Sequence, residues 1–100
     1  MLKYLEQIIT AVAEETGVTT EDIISPKRHE DISIARKLFV SFCYRYGIST
    51  SKIAEYLQRS NDGIRKLYLA FIKSKQRDVE LDVERVIKDK LDSKLLPKKE

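Results

Sequence analysis

Apolar residues along the chain recur three and four positions apart, and no stretch alternates with the period of two that a half-buried strand needs. Leu2, Leu5, Ile9, Val12 and Ala13 form one stripe and predict a helix from Leu2 to Thr16. Gly17 follows, a residue suited to the left-handed position that stops a helix. Thr20 reads as the N-cap of a short helix over Ile23 and Ile24, with Glu21 and Asp22 favouring its positive end. Ser25-Pro26 closes that helix, because the residue before a proline avoids helical backbone angles. A polar loop, Pro26 to Asp31, comes next, and Asp31 reads as the cap of a helix from Ile32 to Tyr46.

The helix from Ile32 carries the broadest apolar face, made of Ala35, Leu38, Phe39, Phe42, Cys43 and Tyr46, and is predicted to be the central core element. Gly47 stops it. Ser49 caps a short helix whose apolar edge is Ile53, Ala54 and Leu57. After a break at Gln58-Arg59, Ser60 caps a longer helix with Asn61 and Asp62 in its first turn. Ile64, Leu67, Tyr68, Phe71 and Ile72 give that helix a continuous face. A last helix, roughly Asp78 to Leu91, uses Val79, Val83, Val86 and Ile87. The expected fold is an all-α small helical bundle, one domain over residues 1–94, with 95–100 as a frayed tail.

Within this pattern, Ser49 to Ile72 reads as a helix-turn-helix. Two helices that cross steeply and nearly touch want a small residue at the crossing and larger apolar residues to hold the second helix down. Ala54, with Ile53, Leu57, Ile64 and Leu67, supplies that set, and an ordinary helical hairpin would share it. The exposed side of the second helix adds chemistry. Ser60, Asn61, Arg65 and Lys66 lie opposite the apolar face. Arginine matches guanine bidentately and asparagine matches adenine, and recognition helices present such residues from their N-terminal turns. Asp62 fits a capping role or acceptance from cytosine. Gly63 in a first helical turn marks either a close backbone approach to DNA or a crowded turn. Ser49, Thr50 and Ser51, with Lys52 after them, place hydroxyls and free N–H groups at a helix start, where a phosphate can bind or where they simply cap. Lys66, Lys73 and Lys75 are further phosphate candidates, and Lys27-Arg28-His29 forms a basic loop.

Charge supports this placement. Residues 1–25 carry one basic and five acidic groups, residues 26–75 eleven basic and four acidic, and residues 76–100 seven of each. The middle segment is thus the one that would meet a polyanion. Cys43 is the only cysteine, so an intramolecular disulfide or a multi-cysteine metal site is excluded, and a single histidine, His29, excludes the usual two-histidine zinc arrangements. Cys43 reads as a small core residue. No metal or cofactor is expected. The apolar runs are short, and the first residues lack a signal peptide's apolar core, so the expected location is cytoplasmic and nucleoid-associated, with no membrane contact. No paired carboxylates, nucleophile–histidine set or glycine-rich phosphate loop points to an enzyme.

Three stretches carry a family resemblance: Ile-Ile-Ser-Pro-Lys-Arg at 23–28, Ile-Ser-Ile-Ala-Arg-Lys-Leu at 32–38 and Ser-Thr-Ser-Lys-Ile-Ala at 49–54. In order and spacing they resemble the C-terminal DNA-binding domain of the bacterial replication initiator DnaA, domain IV, a Trp-repressor-like helix-turn-helix. The resemblance covers residues 8–91. It implies a recognition helix, about 60–75, in the major groove, and a basic loop at Lys27 and Arg28 on the adjacent backbone or minor groove. It also implies a backbone contact from Arg36. The family's Gly-Gly-Arg-Asp-His-Thr-Thr-Val corresponds here to the shorter Gln58-Arg59-Ser60-Asn61-Asp62-Gly63-Ile64. Arg59 stands for the signature arginine, which the resemblance implies is a DNA contact, and the Asp-His-Thr-Thr set that reads the initiator's own site is absent. The resemblance therefore implies a double-stranded-DNA-binding protein with different reading residues, in replication, transcriptional control or a bacterial or phage mobile element. A second protein would supply the missing nucleotide-binding function. The alternative is a helical protein-interaction module that has lost DNA reading and binds through Tyr4, Tyr44, Tyr56 or the last helix.

Overall fold

A computed structural model describes residues 2–73 and 78–95. It contains helices α1 (Leu2–Thr16), α2 (Thr20–Ile24), α3 (Glu30–Arg45), α4 (Thr50–Leu57), α5 (Asn61–Lys73) and α6 (Asp78–Leu95), and no strand among the described residues. The all-α expectation holds, with most boundaries moved by a residue or two and α6 running four residues past the expected Leu91. The cap of α2 is Thr19, whose side chain accepts from the Asp22 N–H, rather than Thr20. Helix α3 starts at Glu30 after His29, whose side chain makes no capping bond. The Asp31 carboxylate instead accepts from the Ile32 N–H. Gly17 and Gly47 take φ values of 77° and 83°, the left-handed geometry that ends α1 and α3 where their patterns stop. Leu95, expected to open the frayed tail, is the last residue of α6, and the rest of that tail, 96–100, lies outside the described residues.

Helix α3 is the hub, packing against α1, α2, α4 and α5. That explains why it buries Ile32, Ala35, Leu38, Phe39, Val40, Phe42 and Cys43, more than one stripe. Burial pushes the Cys43 thiol well above its ordinary pKa, so the residue is an inert part of the core. Helix α1 contributes Leu5, Ile8, Ile9, Ala11 and Val12. Ile8 and Ala11 lie outside the narrow stripe read from the sequence, because α1 is packed on both sides, by α3 and by α6.

Helix α6 lies on α1 through Ile87 and Leu91, both fully buried. Two expectations for the outer helices change. Val86 is 45% exposed and Ile72 46% exposed, since each sits one position off the buried rows Ile87–Leu91 and Ile64–Phe71. Polar links fix α6 at its edge: the Tyr46 hydroxyl donates to Asp92, and Lys90 reaches Glu14 at 3.0 Å and Glu15 at 2.7 Å.

Candidate nucleic-acid interface

Helices α4 and α5 form the helix-turn-helix. Ser49 accepts from the Lys52 N–H at 3.3 Å and starts α4. Ile53, Ala54 and Leu57 are buried, as their spacing predicts. The turn is three residues, Gln58 to Ser60. Gln58 is left-handed at φ 57° and closes α4 by donating to the carbonyls of Ala54 and Glu55, and the Arg59 N–H also bonds Ala54 at 2.9 Å. Ser60 then accepts from the Gly63 N–H at 3.0 Å and starts α5. The crowded-turn reading of Gly63 has a concrete source: a Cβ there would stand 3.3 Å from the Ser60 hydroxyl that caps the helix.

With Ile64 and Phe71 buried, the outer face of α5 carries Asp62, Arg65, Lys66, Leu69, Ile72 and Lys73, all exposed, and Asn61 is exposed at its start. Asp62 does not cap the helix. Its carboxylate binds Arg65 Nη1 at 3.2 Å, one helical turn on, so Arg65 has an intramolecular partner in the free protein. At the start of α4, Ser51 and Lys52 are exposed, while the Thr50 hydroxyl is engaged with the Tyr44 hydroxyl at 2.7 Å. Tyr44 was not a sequence candidate for this region. Its ring also packs edge-on against Tyr68 at 4.7 Å, so one side chain at the rim of the α3 stripe braces both helices of the pair. A tyrosine at the edge of a core face is the only sequence sign of such a brace.

The basic loop between α2 and α3 exposes Lys27, Arg28 and His29. Lys27 pairs with Asp22 at 3.2 Å, with more than half of its side chain still in solvent. Arg36 requires a correction. It was expected to contact the DNA backbone, but it is 3% exposed and turned inward. Its Nε donates to the Ile23 carbonyl at 2.7 Å, Nη1 to Lys27 at 3.1 Å, and Nη2 to Asp22 at 3.0 Å and Ser25 at 2.6 Å. A phosphate contact needs a head group that solvent can reach. Arg36 is instead the peg around which the loop is folded. Arg59 is half-buried, and its Nη2 donates to the same Ser25 carbonyl at 3.1 Å. Burial first, and the Arg59 charge second, hold the Arg36 pKa below its usual value. An open cleft of about 220 Å³ lined by Ile24, Pro26, Leu57, Gln58 and Arg59 marks where the loop meets the turn. Lys75 lies outside the described residues.

A capped short helix, a three-residue turn and a second helix with a polar, solvent-facing first half define the chain as a helix-turn-helix protein. Residues 5–62 match the bacterial DnaA protein helix-turn-helix family, and the chain belongs to that family. No curated protein matches the sequence significantly. The match ends at the first turn of α5, so α1 to α4 and the turn carry the family pattern. The family's domain is a non-catalytic DNA-binding module, and double-stranded DNA is the partner that follows from it. Among the described residues no helix is long and apolar enough to cross a membrane, and no group of histidine, cysteine and acidic side chains could hold a metal.

Proposed function

We propose that the protein reads duplex DNA by placing the first half of α5 in the major groove, with Asn61 and Arg65 facing base edges and Lys66 on a phosphate. Lys27 and Arg28 meet the adjacent backbone or minor groove. Ser49, Ser51 and Lys52 form a further phosphate contact at the start of α4. The observation that carries this reading is the outer face of α5: polar and basic side chains stand exposed directly after a capped turn, in a chain of the DnaA helix-turn-helix family. The biological setting is replication, transcriptional control or a mobile element, with a nucleotide-binding function supplied by another protein. Because Asp-His-Thr-Thr is replaced, the preferred site differs from the initiator's own.

Selection of binding sites from random duplex DNA with purified protein tests this. An enriched motif distinct from the initiator's site supports it. Salt-sensitive binding without a motif removes the base-reading role of Asn61 and Arg65. No binding at low salt removes DNA as the partner. One observation favours a second reading for that case: Leu69, 56% exposed, and Ile72 on the same face of α5 offer apolar surface to a protein partner.

A further inference from the structure

We infer that Arg59 is a positioning residue: with Arg36 it clamps the Ser25 carbonyl, and so sets where Lys27 and Arg28 stand relative to the helix-turn-helix. The inference rests on the DNA-binding reading above and assigns Arg59 a different part in it from the direct contact the family signature implied.

The bond from Arg59 Nη2 to the Ser25 carbonyl joins residues 34 positions apart, and it links the turn between α4 and α5 to the loop that carries the basic residues. Both ends are stiff. On the turn side, the left-handed Gln58 and the Arg59 N–H bond to Ala54 fix the backbone from which Arg59 springs. On the loop side, Arg36 binds four carbonyls between Asp22 and Lys27, and the Lys27 N–H is held by the Ser25 hydroxyl at 3.3 Å. A shift at Ser25 therefore moves Lys27 and Arg28 with it. Arg36 pins the loop to α3, and among the described hydrogen bonds the one from Arg59 joins it to the turn that precedes α5. No carboxylate bonds either guanidinium among the described hydrogen bonds and ion pairs, so two like charges share one carbonyl acceptor. That arrangement suits a surface that meets a polyanion, whose field offsets the repulsion. Arg59 itself has little freedom to reach a phosphate. Its Nε is buried, and one Nη is engaged inward.

Arg59→Lys separates the two roles. Lysine serves a phosphate as a point charge, but it lacks the fork that reaches sideways to a carbonyl. The measurement is affinity for a random-sequence duplex across a salt series, for four forms of the full chain: wild type, Arg59→Lys, the double variant Lys27→Ala/Arg28→Ala, and the triple variant. We expect Arg59→Lys to make the slope of log affinity against log salt shallower by up to about 1.8, roughly 0.9 for each of the two phosphates that Lys27 and Arg28 would no longer reach, although no charge was removed. In the loop-less background the same substitution changes affinity less than about twofold, because the side chains it acts through are already gone. In the free protein, Arg59→Lys shifts the backbone amide resonances of Ser25, Lys27 and Arg28 while amides in α3 keep their hydrogen-exchange protection, which shows a displaced loop in a folded protein without reference to DNA. A wild-type slope in Arg59→Lys, or an effect that persists fully in the loop-less background, overturns the inference and leaves DNA binding intact. Absence of wild-type binding at low salt removes the DNA reading and the inference with it.

Discussion

In the proposed complex Arg65 faces the bases, and in the free protein it is paired with Asp62 on a surface where both side chains are largely in water. Such exposed pairs hold only a few tenths of a kcal/mol up to about 1 kcal/mol, so DNA can open this one at small cost. Asp62→Ala removes that competition and a negative charge from the face that meets phosphate. It is expected to tighten binding to random duplex several-fold, by about 1 kcal/mol, with less gain on a selected site whose bases would have bonded Asp62. Arg65→Ala is expected to cost about 1–3 kcal/mol on the selected site and little on scrambled DNA. Side-by-side titrations of both variants on both duplexes decide this. An equal loss on the two duplexes for Arg65→Ala would make it a phosphate contact. The Asp62–Arg65 spacing was visible in the sequence, but whether Asp62 turned to the helix N–H groups or to Arg65 was settled by Ser60, which already fills the cap.

At the scale of the element, the turn between α4 and α5 holds the least expected backbone conformation. Gln58 is the only non-glycine residue with positive φ among the described residues, at 57°. A side chain there costs about 1 kcal/mol relative to glycine, and the family signature carries glycine on this side of its arginine. Gln58→Gly is therefore expected to raise stability by up to about 1 kcal/mol, measured as a higher denaturant midpoint at constant slope. A lower midpoint would show that the Gln58 side chain contributes packing in the cleft with Ile24 and Pro26 that outweighs the backbone strain. Helix existence and order were legible from the spacing of apolar residues and from Gly17, Gly47, Ser49 and Ser60. The left-handed turn was not, because nothing in Gln-Arg-Ser announces it. It is imposed by the need to close α4 and aim α5 within three residues.

Across the whole molecule, α6 extends the core beyond the family match, which ends at residue 62. Leu91 is fully buried in the layer α6 forms on α1, so Leu91→Ala is expected to cost about 2–5 kcal/mol and lower the melting midpoint of the entire domain. An unchanged midpoint would make α6 an appendage. The same layer carries an alkaline sensitivity. Burial, with the hydrogen bond to Asp92 next in weight, pushes the Tyr46 pKa up to about 12. The folded state thus holds the phenol proton more tightly than the unfolded chain, whose tyrosine titrates near 10. This stabilisation is complete below about pH 10 and is lost as pH rises from about 10 to 12. Tyr46→Phe is expected to lower stability at neutral pH by about 1 kcal/mol and to flatten the alkaline decline. Melting curves of both proteins between pH 8 and 12 check the sign, and a parallel decline would exclude Tyr46 as its source.

What the sequence determined by itself was the local part: six helical segments from a three-and-four spacing, their stops from glycine and proline, the helix-turn-helix from a small residue among larger ones, and a basic middle segment. These depend on neighbours a turn or two away, which the chain order records. Tertiary structure alone decided which cations face solvent. Arg36, Arg59 and Arg65 are indistinguishable as letters. Arg36 lies at 3% exposure because α2 folds its open carbonyls over α3, and Arg59 is drawn inward because the α4–α5 turn lands against Ser25. Arg65 points outward because Ile64 points in. A guanidinium goes wherever backbone carbonyls lack partners, and that demand exists only once distant segments have been brought together.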